Sequence, residues 1–125
     1  MSSAAYFRAA AMSGGAAVLL GAFGAHGLKS RGGDAAALAT WSTSAQYHLV
    51  HAAALGLAAL SRGRGAAGGL PCALLASGTA LFSGSLYLLV LTGQKSLGAI
   101  TPIGGLLLTA GWVALAWEAP AALSR

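Results

Sequence analysis

Four stretches of this chain, residues 9–28, 41–60, 70–92 and 100–117, are apolar almost without interruption, and the charged side chains fall between or outside them. A helix rises about 1.5 Å per residue, so about 30 Å of hydrocarbon is crossed by roughly 20 apolar residues. A soluble domain of this length could not hide four such segments. The pattern predicts an all-α fold: a four-helix transmembrane bundle with short loops, forming a single domain over 1–125.

Local signals set the expected ends. Gly27 suits a C-terminal cap for the first helix. Asp34 before Ala35-Ala36-Ala37 suits an N-cap followed by the best helix former, so the second helix is expected to run unbroken from Ala35 to about Leu60. Its first turns would then protrude, with Trp41 at headgroup level. Pro71 suits the first turn of the third helix, which ends at Thr92-Gly93, and Thr101-Pro102 reads as N-cap and first residue of the fourth. Pro120 to Arg125 reads as a frayed end. Small residues recur four apart at Ser13, Ala17, Gly21 and Ala25, and again at Ala76, Ala80 and Gly84 with Tyr87 continuing that face. In lipid such stripes let backbones approach closely, so both are expected to be helix-packing faces.

Charged residues are 7% of the chain, against about 25% in an ordinary soluble domain. The net charge of +5 comes from scattered flanking residues. They fit anchoring to a lipid bilayer rather than nucleic acid. Arg8, Arg62, Arg64 and Arg125 share one side, against Lys29, Arg31 and Lys95 on the other, which favours both termini in the cytoplasm or matrix. The single Cys72 has no partner for an internal disulfide and reads as a small packing residue. The N-terminal segment, with one Arg and no acid, reads as the start of the first span.

Polar chemistry gathers at one end. His26, Gln46, Tyr47, His48, His51, Tyr87, Gln94, Lys95 and Thr101 fall toward one membrane face. On the second helix, Ser44, Tyr47, His48 and His51 share one side, with His51 the deepest and His26 placed to meet it from the first helix. Three chemistries are compatible with the histidines. They could be neutral imidazoles closing the bundle through hydrogen bonds to carbonyls, Tyr87 or Thr101. They could form a metal or haem site, from His48 and His51 one turn apart with His26 as a third nitrogen. They could instead form a proton, quinone or small-ligand site of imidazole and phenol. Neither acid, Asp34 nor Glu118, lies inside a span, which argues against ion-coupled transport. Ser83 and Ser85 with His51 lack the orienting acid of a hydrolase. No metal, cofactor or catalytic residue is assigned.

The segments LGAFGAHGL (20–28), QYHLVHAAALGL (46–57), ASGTALFSGSLYLL (76–89) and TPIGGLLLTAGW (101–112) resemble the family catalogued as domain of unknown function 423 (DUF423), which includes the eukaryotic transmembrane protein 256 and bacterial inner-membrane relatives. The resemblance implies a four-helix protein of the bacterial or mitochondrial inner membrane, with no agreed catalytic residues. Its shared elements fall on Gly21–His26, on Tyr47 with His51, and on Thr101–Gly105, and His48 is a position where members differ. The expected role is non-catalytic, an accessory or assembly component packing against other membrane subunits or itself. The alternative is binding or transport of a small ligand, lipid or quinone at the His/Tyr-rich end.

Overall fold

The computed structural model describes residues 1–65 and 69–124. Arg125, read above as a flanking charge, lies outside them, as does part of the connection after Arg64. Four long helices, α1 (Ser3–Ala22), α2 (Ala35–Gly63), α3 (Leu70–Thr92) and α4 (Thr101–Glu118), are followed by a short α5 (Pro120–Leu123). No strand occurs among the described residues. α1 continues without a break into a π-helical segment, Phe23–Leu28, so Gly27 is inside the helix rather than capping it. A 3₁₀ turn, Lys95–Ala99, precedes α4.

Among the described residues, three helical stretches are long and apolar enough to cross a membrane: Ser3–Leu28, Leu70–Thr92 and Lys95–Leu123. α2 is 29 residues long, about 43 Å. The polar side chains from Ser42 to His51 keep it below the same apolarity, so it is not a span by composition alone. Ser44 and His48 are met by α1 and α3, whereas Gln46 pairs with Ser42 and His51 with the Tyr47 carbonyl inside α2. Asp34 caps α2 by accepting from the Ala37 amide at 2.8 Å, and the helix begins at Ala35 as the Asp-Ala-Ala-Ala pattern predicts. Thr101 is instead the first residue of α4, with Ile100 at the cap, and its hydroxyl is used elsewhere.

The helices pack in chain order, α1 on α2, α2 on α3 and α3 on α4, with no extended interface between α1 and α3 or α4. The α3–α4 seam is an antiparallel series of layers, each placing a glycine against a larger side chain. Gly111 meets Leu75, Gly78 meets Leu108, and Gly104 lies against the backbone of Phe82. At the end of the series Ser85 and Thr101 pair their hydroxyls at 2.6 Å. Ser85 also donates to the Phe82 carbonyl at 3.0 Å, which makes Thr101 the donor between the two. Lipid offers no hydrophobic drive for helix association, so this close backbone approach supplies the dispersion contacts that hold the seam. Cys72 and Leu75 are fully buried in the same core.

The α1–α2 seam has a different composition. Ala10 faces Gly56, Gly14 faces Ala52 and Gly21 faces Ala45, small residue on small residue. Ala17 is buried there as the stripe on α1 predicts, but Ala25 is exposed. Of the second stripe, Ala76 packs against the core of the bundle, but Ala80 and Gly84 do not continue that face. Ala80 is exposed, and a Cβ added at Gly84 would meet nothing within 4 Å. α3 meets α4 through the Leu75/Gly78/Phe82 side, and this turns Ala80 and Gly84 toward the open side of the row.

Candidate functional site

On that open side, α1 and α3 stand on either flank of α2 and leave a groove of about 350 Å³ between them. Its lining includes Ser13, His48, His51, Ala76, Ala80, Ser83, Gly84 and Tyr87. Within it the polar side chains of α2 find their partners.

His48 is the hub. Its Nε2 pairs with the Ser13 hydroxyl of α1 at 2.8 Å and its Nδ1 with the Tyr87 hydroxyl of α3 at 3.1 Å. A neutral imidazole has one donor and one acceptor, so either tautomer satisfies both hydroxyls, one of which donates while the other accepts. The result is a hydrogen-bonded chain across three helices. One turn away on α2, Ser44 donates to the Ser83 carbonyl at 2.8 Å and Ser83 donates to the Ser44 carbonyl at 2.9 Å. This reciprocal clamp is fully buried and fixes α2 against α3.

His51 takes a different part. Its Nδ1 lies 2.6 Å from the Tyr47 carbonyl. A carbonyl only accepts, so Nδ1 carries the proton and Nε2 is left as a bare acceptor. The ring is 7% exposed and lies against Tyr47 on one side and Trp112 on another. Nε2 has no hydrogen-bond partner among the described residues, and no fully enclosed side-chain polar atom among them lacks one. His51 thus brings one unused acceptor to the groove.

The remaining candidates separate. Tyr47 is half-exposed and stacks on Phe82 with ring centroids 4.5 Å apart. Thr101 belongs to the α3–α4 seam. His26 is exposed on the π-helical segment and does not reach His51, because that segment continues the helix past the bundle instead of folding the ring inward. Among the described residues, no three of His, Cys, Asp and Glu gather closely enough to hold a metal ion.

Trp41 has a packing role that its sequence position did not announce. It is 2% exposed, and its indole N–H donates to the Leu20 carbonyl at 2.7 Å. Its ring lies over Gly24, where an added Cβ would come within 2.8 Å of the indole nitrogen. Phe23 packs edge-on to it and Tyr87 tilts against its other side, 4.7 Å between centroids. Side chains inserting at a helix commonly accompany π-helical widening. The GAFGAH run is therefore an indole socket, and Trp41 also buttresses the Tyr87 ring whose hydroxyl meets His48. A tryptophan near a helix start gives no sequence signal separating this role from an interfacial anchor. Ser13 was legible only as a small residue, and the Ser44–Ser83 clamp not at all.

Comparison with known proteins agrees with this architecture. Residues 20–105, more than half of the chain, match the model of a family described as protein of unknown function (DUF423). The UPF0382 membrane protein YwdK of Bacillus subtilis is 45% identical over 100 residues, covering 78% of this chain and 80% of the relative. A UPF0382 membrane protein of Haemophilus influenzae is 41% identical over 113 residues, 90% of each chain. The fission yeast UPF0382 membrane protein C1782.12c is 38% identical over 117 residues, 85% of this chain and 93% of its own. No solved structure matches. The chain is a membrane protein and belongs to the DUF423 family.

Proposed function

We propose that this protein is a non-catalytic accessory or assembly subunit of the bacterial or mitochondrial inner membrane that receives a transmembrane helix of a partner in the α1/α3 groove. α2 serves as its fourth crossing, with Ser44 and His48 held by α1 and α3. The observation that carries the proposal is the open wall at Ala80 and Gly84, where Ala80 is exposed and a Cβ added at Gly84 would meet nothing within 4 Å. Small residues four apart are the surface against which a second helix gains close packing in lipid, and within this chain nothing uses it. The polar groups support a structural role: His48 pairs with Ser13 and Tyr87, and Ser44 with Ser83. Blue-native migration after mild extraction tests this, with mass spectrometry of the band and a photocrosslinker at Ala80. Co-migration with a membrane complex that is lost in Gly84→Leu, while the isolated protein melts unchanged, is the expected result. Migration alone with no protein crosslink would remove the proposal.

A second reading has one observation in its favour. The bare Nε2 of His51 offers an acceptor to a lipophilic molecule bearing a hydroxyl, such as a quinol. Organic extraction of the purified protein, followed by mass spectrometry, separates the two. A hydroxylated lipophile present in wild type and absent in a stably folded His51→Phe variant selects the ligand. Its absence from wild type leaves the groove to a helix.

A further inference from the structure

We propose that the cleft between α1 and α2, on the Lys29 side of the membrane, holds one anionic phospholipid. This cleft is distinct from the α1/α3 groove and larger, at about 590 Å³. It runs along α1 and its π-helical extension from Ala17 to Lys29, past Gly21 and Ala25, with Trp41 on the opposite wall. Twelve residues at about 1.5 Å each give a length of about 18 Å, roughly the depth of one leaflet's share of the hydrocarbon plus the ester region. Its chemistry is graded along that length. The deep end is alanine, glycine and aliphatic side chain, and the mouth is a lysine.

Two further features match a phospholipid in register. Ser42 lines the cleft beside Trp41, and in the proposed binding mode it meets the glycerol esters. Gln46 donates its amide to Ser42 Oγ at 3.3 Å, which leaves the Ser42 hydroxyl proton for an ester carbonyl. The mouth is also electropositive. Lys29 lines it and Lys95 lies toward the same membrane face, while Arg31 is set over the Phe23 ring and the one acid at that end, Asp34, is turned to the α2 N-terminus that it caps. An anionic headgroup is favoured over a zwitterionic one by that imbalance. Gly21, seated on Ala45 of α2, and the exposed Ala25 are both small, which leaves room beside the seam for an acyl chain.

The full chain with Trp112→Phe and Trp117→Phe keeps Trp41 as its only tryptophan and places the reporter in the cleft wall. It is reconstituted into phosphatidylcholine vesicles containing a minor fraction of brominated phosphatidylglycerol or, in parallel, brominated phosphatidylcholine. At equal fraction the brominated anionic lipid should occupy the cleft about fivefold more than the zwitterionic one, read as quenching of Trp41. Lys29→Gln should remove most of that preference, and Ala25→Leu, at an exposed position of the cleft wall, should lower quenching by both lipids. Equal quenching by the two lipids, or a preference that survives Lys29→Gln, would overturn the proposal. If the tryptophan variants do not fold, native mass spectrometry of the wild-type protein and Lys29→Gln decides it. Retained phosphatidylglycerol must fall in the variant, and unchanged retention refutes the site.

Discussion

The two helical hairpins of this molecule reach close contact by opposite means. Along α3–α4 each layer sets a glycine against something large, so that Leu75, Leu108 and the Phe82 backbone occupy the volume a side chain would have filled. Along α1–α2 both partners are small, and Cβ atoms added at Gly14, Gly21 and Gly56 would sit 3.7–3.9 Å from the facing alanines, which is ordinary contact. The second seam becomes tight only at its end, where Trp41 enters the π-helical segment over Gly24. Glycine is thus obligatory in one seam and merely permitted over most of the other. Counting small residues cannot reveal that difference, because it depends on what stands opposite.

The largest effect is expected at Gly104. An added Cβ there lies 2.8 Å from the Phe82 Cα and 2.9 Å from the Leu81 carbonyl carbon, both backbone atoms that can retreat only if the helices part. Gly104→Ala should cost at least about 3 kcal/mol, the upper end for overpacking, and Gly104→Val should prevent a stable fold. Thermal melting in a mild detergent measures it. A melting point within a few degrees of wild type would mean that the α3–α4 seam is not held at backbone distance.

Gly24→Ala comes next, since the obstacle is a side chain that can move. Displacing Trp41 breaks its bond to the Leu20 carbonyl and unseats Phe23 and Tyr87 from its faces. About 2 kcal/mol is expected. A double-mutant cycle with Trp41→Leu sharpens the assignment: once the indole is gone, the alanine at position 24 should cost almost nothing. Additive costs would show that Gly24 matters for a reason other than the indole.

His48→Ala should be smaller again, about 1–2 kcal/mol, because Ser13 and Tyr87 lose their shared partner in a groove that lipid or a helix can still reach. His51→Ala removes one hydrogen bond within its own helix and should cost less than His48→Ala. A reversal of that order would move the structural role to His51, where the sequence places it.

The helices were legible in the sequence because burial in lipid demands long apolar runs, and Asp34 with its alanines marked the start of α2 correctly. The candidate site was legible in residue type but not in arrangement. A stripe of Ser44, Tyr47, His48 and His51 tells that polar groups turn one way, yet the choice of His48 as the hub depends on where Ser13 and Tyr87 arrive from other helices. His26 looked equivalent to His51 because both lie near one end, and only the straight run of Phe23–Leu28 separates them. The small-residue stripes were legible only in part, since Ala17, Gly21 and Ala76 pack while Ala25 and Ala80 do not, and the reason is physical. The same alanines and glycines suit a packed seam, a lipid cleft or an open groove, and the heptad that joins α3 to α4 runs through Leu75, Gly78, Phe82 and Ser85 instead.

The smallest effects test the permissive side of the comparison. Gly21→Ala adds a methyl that would lie 3.9 Å from the Ala45 Cβ, and Gly84→Ala adds one with nothing within 4 Å. Neither creates a clash, and alanine removes a backbone entropy cost that glycine carries inside a helix. Both variants should therefore melt at or slightly above wild type, with a gain of up to about 1 kcal/mol. The pair separates once the protein is returned to its membrane. Gly21→Ala should leave co-migration untouched, since that face already has α2. Gly84→Ala should weaken it, because the added methyl stands on the wall offered to a partner helix, even though the isolated protein is as stable as before. Gly84→Ala melting well below wild type would mean that the α1/α3 groove closes over position 84, and the wall would no longer be free for a partner.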